Sequence, residues 1–434
     1  MNLRNILIRF AKVKIFIFLF LSLNLYCAET SRVSFNQQWD LNVTSIISSP
    51  DVESWNLYDI STVLMLPMYF SFRHDIKLSN GNLASYSFEK LLKKAYSYNL
   101  YKKNIGTVTR AQFIYFSTQY LKLKATKNKL TTFDLSLLEL LLFNLDLLAN
   151  KERAFHWSGN DFNGVLPRIR WKISKVFKIT PKFHAALIDE DMFVLTAIAD
   201  SLFISKKIGS PNPFDFLEIS SVCDTVFQKF GTYEEEMWYF QKRVWSDHPD
   251  YLYAGNTTLK EKKVKVDISM DTAHSHRLPL WLSSCGDISS LNYNKAYEGF
   301  KKSFENIINV INFKGSDVLA VPNYIDGWNG FYRVGRGGKN NEGYEPFRNS
   351  AILFMGYFFP LDGHYIDLLE RFRKQHPLNE TQVEFYVGPG TARVQSRNLT
   401  LENYFSGSFY LFHSILAVCF HKKLSECNAL DLSI

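Results

Sequence analysis

Residues suited to a sugar-binding cleft are concentrated between positions 321 and 347. Aromatic rings stack on sugar faces, arginine pairs with carboxylate or sulfate groups, and tyrosine can transfer protons. The segment therefore predicts a carbohydrate cleft, and a buried aromatic turn without chemistry is the alternative. Its candidate substrate-binding residues are Tyr324, Asp326, Trp328, Asn329, Phe331 and Arg333.

A second candidate segment begins at Asp271 and has the pattern of a helix start. It carries His274, His276 and Arg277, which we also predict to bind substrate or to act on it. The free backbone N–H groups of a helix start favour an anion, and Arg277 adds a positive charge. The two histidines would point to different sides of a helix, so no metal site is predicted. The alternative is an N-cap with surface histidines.

Two further groups of basic residues accompany these segments. Arg393 and Arg397 are four positions apart beside a glycine turn, and they predict a carboxylate clamp. A glycan on the neighbouring sequon at Asn398 would crowd that clamp, so the two interpretations compete. Four lysines between positions 260 and 265 favour a solvated loop. They are Lys260, Lys262, Lys263 and Lys265.

Helical periodicity dominates the elements that must position these residues. The apolar spacing predicts helices over 90–101, 110–124, 134–148, 184–206, 218–230, 293–313, 349–359, 365–374 and 401–419. The sequence shows no strand–helix alternation, no Gly-rich phosphate loop and no HExxH or GxSxG motif, so a Rossmann-type sheet is not predicted. Ten or so helices favour an all-α fold, either an α/α toroid or an irregular bundle, and the candidate strand is 383–387.

The first 27 residues predict a signal peptide or an uncleaved N-terminal membrane anchor. Four basic residues precede an apolar run over 15–25, which is short for a membrane span. Removing those four from the 50 Lys and Arg leaves 46 basic against 42 acidic residues, a net charge of +4. This mild excess is compatible with an anionic polysaccharide partner, and it is not the charge of a dedicated nucleic-acid binder.

The cysteines and glycosylation sequons fit a secreted protein. After the leader, four cysteines can form two disulfides in three alternative pairings, or remain buried free thiols, and no pair has zinc-ligand spacing. These cysteines are Cys223, Cys285, Cys419 and Cys427. The four sequons predict a glycoprotein that passes through a eukaryotic secretory route. Their asparagines are Asn42, Asn256, Asn379 and Asn398.

The order and spacing of the site segments resemble those of the chondroitin and hyaluronan lyases with an α/α toroid. Within that family they are most similar to the occlusion-derived-virus envelope lyases of baculoviruses and related insect viruses. Asp326-Gly327 matches the Asp-Gly of the family loop, Gly343-Tyr344 resembles its Gly-Tyr, and the Arg393 and Arg397 pair falls at its arginine segment. The likeness covers roughly residues 215–400.

The resemblance implies an incomplete toroid over 28–375, with a C-terminal segment over 376–434 that begins a β part and ends in a helix. It also implies a secreted or viral-envelope protein that performs β-elimination at a uronic acid, without a metal or cofactor. Tyr344 is the implied proton-transfer residue, with Tyr332 as its substitute or helper. His276 or Arg277 would neutralise the substrate carboxylate. The arginine pair would lower the tyrosine pKa.

The chain departs from the family pattern at three points. The helix start carries His274, His276 and Arg277 where the family has an Asn. Tyr332 occupies the position of the family His, and the β domains that supply a Glu are not found in these 434 residues. We therefore expect a shortened and altered relative of these lyases.

Two alternatives to an active lyase follow from these departures. The first is a catalytically inactive protein that holds a glycosaminoglycan without cutting it. The second is a toroid glycoside hydrolase, which needs a pair of carboxyl groups. Asp326 with Glu342 or Glu345 would supply that pair.

Overall fold

The computed structural model describes residues 35–48, 57–102, 105–289, 291–336, 342–387 and 407–428. Helices make up 56% of the structure, and the strands are few, short and antiparallel. The all-α class expected from the sequence is therefore confirmed.

Ten helices of the described residues precede position 231, and a short π-helical turn over 40–44 joins the first two. They are α1 (Phe35–Trp39), α2 (Ser45–Ser48), α3 (Leu57–Val63), α4 (Met65–His74), α5 (Tyr86–Ser97), α6 (Thr107–Thr126), α7 (Thr132–Asp146), α8 (Val165–Lys175), α9 (Asp189–Ile208) and α10 (Phe216–Phe230).

The 20-residue helices α6 and α9 form the central pair of this half. Both are buried on nearly all sides, as expected of helices at the centre of a core. At the start of α9 the Asp191 carboxylate accepts the Ile188 N–H at 2.9 Å. The helix ends at Gly209, whose φ of 68° is the left-handed conformation favoured by glycine. Asp189, the first residue of α9, is thereby held at one end of the core.

Shorter helices dominate the rest of the described residues. They are α11 (Thr272–Ser275), α12 (Leu278–Gly286), α13 (Asn294–Glu305), α14 (Ile352–Met355), α15 (His364–Arg373), α16 (Glu380–Val387), α17 (Gly407–Phe420) and α18 (Leu424–Asn428). Helix α17 packs against both α15 and α4, and it thereby joins the two halves.

Three antiparallel hairpins interrupt the helices of the described residues. They are β1 (Arg153–Phe155) with β2 (Asp161–Asn163), β3 (Gly231–Glu234) with β4 (Met237–Phe240), and β5 (Asn309–Phe313) with β6 (Ser316–Ala320). The third hairpin overturns part of the helix predicted over 293–313, because α13 ends at Glu305 and a strand follows. Its two-residue turn, Lys314 and Gly315, has positive φ at both positions, which matches the twist of the flanking strands.

The strand predicted over 383–387 is wrong, because these residues belong to α16. Asn379 Oδ1 accepts the Gln382 N–H at 2.9 Å, and Gln382 Oε1 accepts the Asn379 N–H at 3.0 Å. This reciprocal pair is a capping box, which starts a helix. The helix predicted over 349–359 is shorter than expected and is reduced to α14, Ile352–Met355.

The cysteines pair as Cys223 with Cys285 and Cys419 with Cys427, which selects one of the three pairings. Among the sequon residues, Asn42 is buried and its Nδ2 donates to Gln38 O at 2.9 Å. The folded chain therefore does not present Asn42 for glycosylation.

No helix within the described residues combines the length and apolar character needed to cross a membrane. The predicted leader, the arginine pair at 393 and 397, and the sequon at Asn398 lie outside the described residues.

Candidate functional site

The start of α11 and the 321–347 loop, which the sequence singles out separately, pack against each other. Asp271 and Tyr324 form an isolated antiparallel bridge between the two segments. Further along each segment, the rings of His274 and Tyr332 lie 6.5 Å apart, centre to centre. The structure therefore brings together two of the three predicted groups of site residues.

His274 lies between two carboxylates. Its Nδ1 is 2.6 Å from Asp271 Oδ1, and its Nε2 is 3.6 Å from Asp189 Oδ2. The His274 side chain is 17% exposed, so the ring is oriented by the protein and still reaches solvent. A histidine held in one orientation by a carboxylate can accept or donate a proton in catalysis.

Asp271 is the buried partner that orients His274. The Tyr251 hydroxyl donates to Asp271 Oδ2 at 2.9 Å. Burial alone would raise the pKa of Asp271, but the charges of His274 and Arg333 and the hydrogen bonds from His274 and Tyr251 hold that pKa below its ordinary value. Asp271 is therefore a carboxylate at neutral pH.

Asp189 connects His274 to a buried cation. Arg277 Nη1 donates to Asp189 Oδ2 at 2.7 Å, and the Tyr58 hydroxyl reaches the same oxygen at 3.2 Å. Arg277 is only 2% exposed, and its guanidinium also contacts the Tyr58 hydroxyl. Because Arg277 is paired inside the protein, it is not presented to a substrate carboxylate.

His276 lies in the core and is 1% exposed. Its Nδ1 accepts the Tyr357 N–H at 3.0 Å, and its ring is 4.9 Å from the Tyr357 ring. Burial, with a contribution from the charge of Arg277, holds the pKa of His276 well below its ordinary range. This neutral side chain supports the backbone at 357 and does not face the site.

Tyr332 and Tyr344 are held side by side by a backbone bridge. The Tyr332 N–H donates to Tyr344 O at 3.0 Å, the Tyr344 N–H donates to Tyr332 O at 2.7 Å, and the rings lie 6.0 Å apart. Glycine is required at Gly343, since its φ is 80° and a Cβ there would lie 2.6 Å from Tyr332 O. Burial raises the pKa of Tyr332 well above its ordinary value, whereas Tyr344 is only half-buried.

Two arginines share a single carboxylate beside the tyrosines. Arg333 Nε is 3.5 Å from Asp250 Oδ2, and Arg336 Nε is 3.3 Å from Asp250 Oδ1. The Arg333 and Arg336 side chains are 39% and 58% exposed. The Arg333 guanidinium also lies 5.2 Å from the centre of the Tyr332 ring. Among the described residues, Asp250 is the carboxylate that forms ion pairs with these arginines, and both arginine side chains reach solvent.

Three of the predicted loop residues form hydrogen bonds that hold the loop in place. The Tyr324 hydroxyl donates to Phe331 O at 3.0 Å. Asn329 Oδ1 accepts the Phe347 N–H at 2.9 Å, and Asp326 Oδ2 accepts the Ser269 N–H at 2.5 Å. Burial raises the pKa of Asp326 from 3.8 to about 6, although its backbone hydrogen bonds favour the charged form.

The remaining two predicted loop residues differ in exposure. Phe331 is 8% exposed and packs inside the loop. Trp328 is 39% exposed, and the Lys265 ammonium lies 3.4 Å from the centre of its ring. Of these two rings, Trp328 is therefore the better candidate to stack on a sugar.

The sequence reasoning missed several residues that complete the site. They are Tyr58, Asp189, Asp250, Tyr251 and Arg336. The acidic start of α9 was a usable signal for Asp189, because a run of acidic residues marks a helix N-terminus. The other contacts join residues far apart in sequence, and local patterns do not reveal them.

Nothing in the described part of the chain groups three or more His, Cys, Asp or Glu side chains so that they could hold a metal ion. A cavity of about 410 Å³ lies elsewhere, beside α6 and α7. Three cations line it, and two of them are paired, Arg110 with Glu152 and Lys151 with Asp146, which leaves Lys102. That cavity therefore concentrates little free charge, and we place the candidate site at His274.

Comparisons with protein-family models, with curated proteins and with solved structures gave no match to this chain.

Proposed function

We propose that the chain is a polysaccharide lyase-like protein with an incomplete α/α toroid, acting on glycosaminoglycans of the chondroitin and hyaluronan type. The observation that carries the proposal is the backbone bridge between Tyr332 and Tyr344. It sets a half-buried tyrosine beside the exposed Arg333, with His274 next to Tyr332. The partner is an anionic polysaccharide, met by a secreted or viral-envelope protein.

The Arg333 and Arg336 pair takes the role of neutralising the uronate carboxylate. The C5 proton of a uronic acid becomes acidic only when the adjacent carboxylate is neutralised, and an arginine can do this through two parallel hydrogen bonds. Both arginines form their ion pairs with the same carboxylate, Asp250, and both side chains reach solvent. These arginines replace His276 and Arg277, which the sequence favoured, because both of those side chains are buried.

Tyr344 and His274 are the candidate proton-transfer groups. A base removes the C5 proton, its electron pair forms the C4–C5 double bond, and the bond from C4 to O4 breaks as an acid protonates O4. Tyr344 reaches solvent more readily than Tyr332 and is the candidate base. His274, oriented by Asp271, is the candidate acid. Tyr332 supports the position of both rings.

The inactive glycan-binding alternative is supported by the degree of pairing within the site. Both ring nitrogens of His274 face carboxylates, and Tyr332 is almost fully buried. A protein in which these groups serve only to shape the surface would still offer the arginine pair to an acidic sugar. Equilibrium binding without a reaction product is the signature of this alternative.

The hydrolase alternative has less support from the geometry. It needs two carboxyl groups on either side of a glycosidic bond. Asp326 is buried and accepts the Ser269 N–H, while Asp271 and Asp189 both face the same imidazole.

The deciding experiment identifies the reaction products. The full chain, secreted from insect cells, is incubated with chondroitin, chondroitin sulfates and hyaluronan, and the products are analysed by mass spectrometry. Unsaturated uronate ends support the lyase, and saturated ends, heavier by one water, support the hydrolase. Binding without any product on every glycan supports the inactive alternative and contradicts the lyase.

A further inference from the structure

The lysine loop, residues 260–265, carries cations that no described residue neutralises. Lys260, Lys262 and Lys263 are exposed, and none of them forms an ion pair within the described part of the chain. The neighbouring acidic residues are Glu261 and Asp267. The loop therefore presents a net positive surface.

The conformation of the lysine loop is fixed by its own backbone. The Gly255 N–H donates to Lys263 O at 3.1 Å. The Asn256 amide donates to Thr258 O at 3.3 Å and also contacts Glu261 O. A Cβ at Gly255 would lie 2.9 Å from Lys263 O, so only glycine permits this close approach. These contacts hold the lysines in a defined arrangement.

The lysine loop is attached to the proposed active-site loop. The Phe331 N–H donates to Asn256 O at 3.0 Å. A Cβ at Gly330 would lie 2.2 Å from Ala254 O, so the two backbones touch. The Lys265 ammonium covers one face of the half-exposed Trp328 ring. Cations and an aromatic ring thus lie together on the loop that also supplies Tyr332 and Arg333.

We propose that the lysine loop and Trp328 form a second binding surface for the acidic groups of the polysaccharide that occupies the site at His274. This inference rests on the proposed function and specifies its substrate class as long polyanionic chains. Lysine ammonium groups pair with sulfate or carboxylate, and the tryptophan ring stacks on a sugar. A short oligosaccharide would fill the site without reaching this surface.

The test compares two triple variants that lose the same charge. Lys260→Gln/Lys262→Gln/Lys263→Gln removes the exposed cations of the lysine loop. Lys175→Gln/Lys178→Gln/Lys207→Gln is the matched control, since these lysines are also exposed. Lys207 follows Asp189 by 18 positions along α9, which is about 27 Å. Equilibrium binding of polymeric chondroitin sulfate and of a chondroitin tetrasaccharide is measured over a range of salt concentrations.

We expect the loop variant to bind the polymer about tenfold more weakly and to show a smaller salt dependence. The slope of log affinity against log salt concentration should become shallower by about one to two. The reason is that fewer counterions are released on binding when lysine contacts are lost. Tetrasaccharide binding should be unchanged, and the control should stay within about twofold of the wild type. Equal losses in both variants, or no loss in either, would overturn the inference.

Two further measurements distinguish a failure of this inference from a failure of the proposed function. Binding can be measured without cleavage. If the wild type cuts no glycan and the loop variant still binds the polymer more weakly, the result contradicts the lyase and supports this surface. Trp328→Ala should weaken polymer binding as well. A loop variant that loses affinity for anionic phospholipid vesicles while keeping affinity for the polymer would assign the lysines to a membrane surface and overturn the inference.

Discussion

Two groups of paired basic and acidic side chains lie in different surroundings. One group is at the start of α9, and the other is around Asp250. In the first, the core network, Arg168 and Lys172 are each 1% exposed and bind Asp191 in the core. In the second, the surface pair, Arg333 and Arg336 reach solvent and share one carboxylate.

The difference lies in the balance of charge. Arg168 also contacts Glu190, so two cations meet two carboxylates in the core network. Arg168, which lies on α8, also donates from Nη1 to Phe155 O at 2.7 Å, and this bond attaches the first hairpin to α8. In the surface pair, two cations form ion pairs with one carboxylate, and both side chains are partly exposed to solvent. A closely paired buried network is costly to break, whereas a loosely paired exposed one is free to bind an anion.

The largest expected effect comes from breaking the core network. Asp191→Ala leaves two buried cations without their shared carboxylate, and we expect the free energy of unfolding to fall by about 3–5 kcal/mol. Urea denaturation measures this. Glu218→Gln is the control, because its pair with Arg170 is exposed and should contribute less than about 1 kcal/mol. A similar loss in the two variants would remove the distinction between buried and exposed pairs.

Asp326 provides a contrast to both groups, because it is a buried carboxyl group with which no described cation forms an ion pair. Its folded pKa of about 6 exceeds its ordinary value of 3.8, so the folded chain binds the proton more tightly than the unfolded chain. Stability is therefore expected to fall as the pH rises from about 4 to about 6, by up to about 3 kcal/mol. Asp326→Asn should abolish that decline. If the unfolding free energy changes by the same amount between pH 4 and pH 7 in the wild type and in Asp326→Asn, this assignment is contradicted.

The two histidines of the α11 segment should separate stability from function. His276→Leu leaves the buried Tyr357 N–H without its acceptor, and we expect a loss of about 2 kcal/mol in unfolding free energy. His274→Gln keeps a polar side chain at a partly exposed position and should cost less than about 1 kcal/mol, while abolishing cleavage. Thermal unfolding combined with a cleavage assay checks both. Full activity in His274→Gln would remove His274 from the mechanism.

The smallest effect on stability is expected at the surface pair. Arg336→Gln removes an exposed cation, so the unfolding free energy should change by no more than about 0.5 kcal/mol. Its affinity for a chondroitin tetrasaccharide should fall about tenfold, because an arginine–carboxylate contact is lost. Arg170→Gln, another exposed arginine, is the matched control and should bind normally. Unchanged affinity in Arg336→Gln would show that its cation is not used for binding.

Much of the helical framework could be predicted from the sequence, because strong periodicity marks the buried helices. The predictions over 110–124, 134–148 and 218–230 fall within or close to α6, α7 and α10. The strand predicted over 383–387 failed because β-favouring side chains outweighed the capping box of Asn379 and Gln382. The β5–β6 hairpin was missed because Lys314-Gly315 was not weighed as a turn.

The site was only partly predictable. Local composition identified the loop and the α11 segment, and the structure places them in contact at Asp271 and Tyr324. Sequence alone could not distinguish His274 from His276, because their exposure depends on distant partners. The partners are Asp189 for the first and the Tyr357 backbone for the second. Such contacts are a product of tertiary packing, which local spacing does not encode.

The most direct test of the account follows the ultraviolet absorbance of unsaturated uronate during incubation with chondroitin, for the wild type and for Tyr344→Phe. Tyr98→Phe, at a tyrosine that follows α5 and is 55% exposed, is the matched control. We predict a steady rise for the wild type and the control and no rise for Tyr344→Phe, with unchanged unfolding curves. An equal rise in all three proteins would contradict the role of Tyr344, and no rise in any of them would contradict the lyase itself.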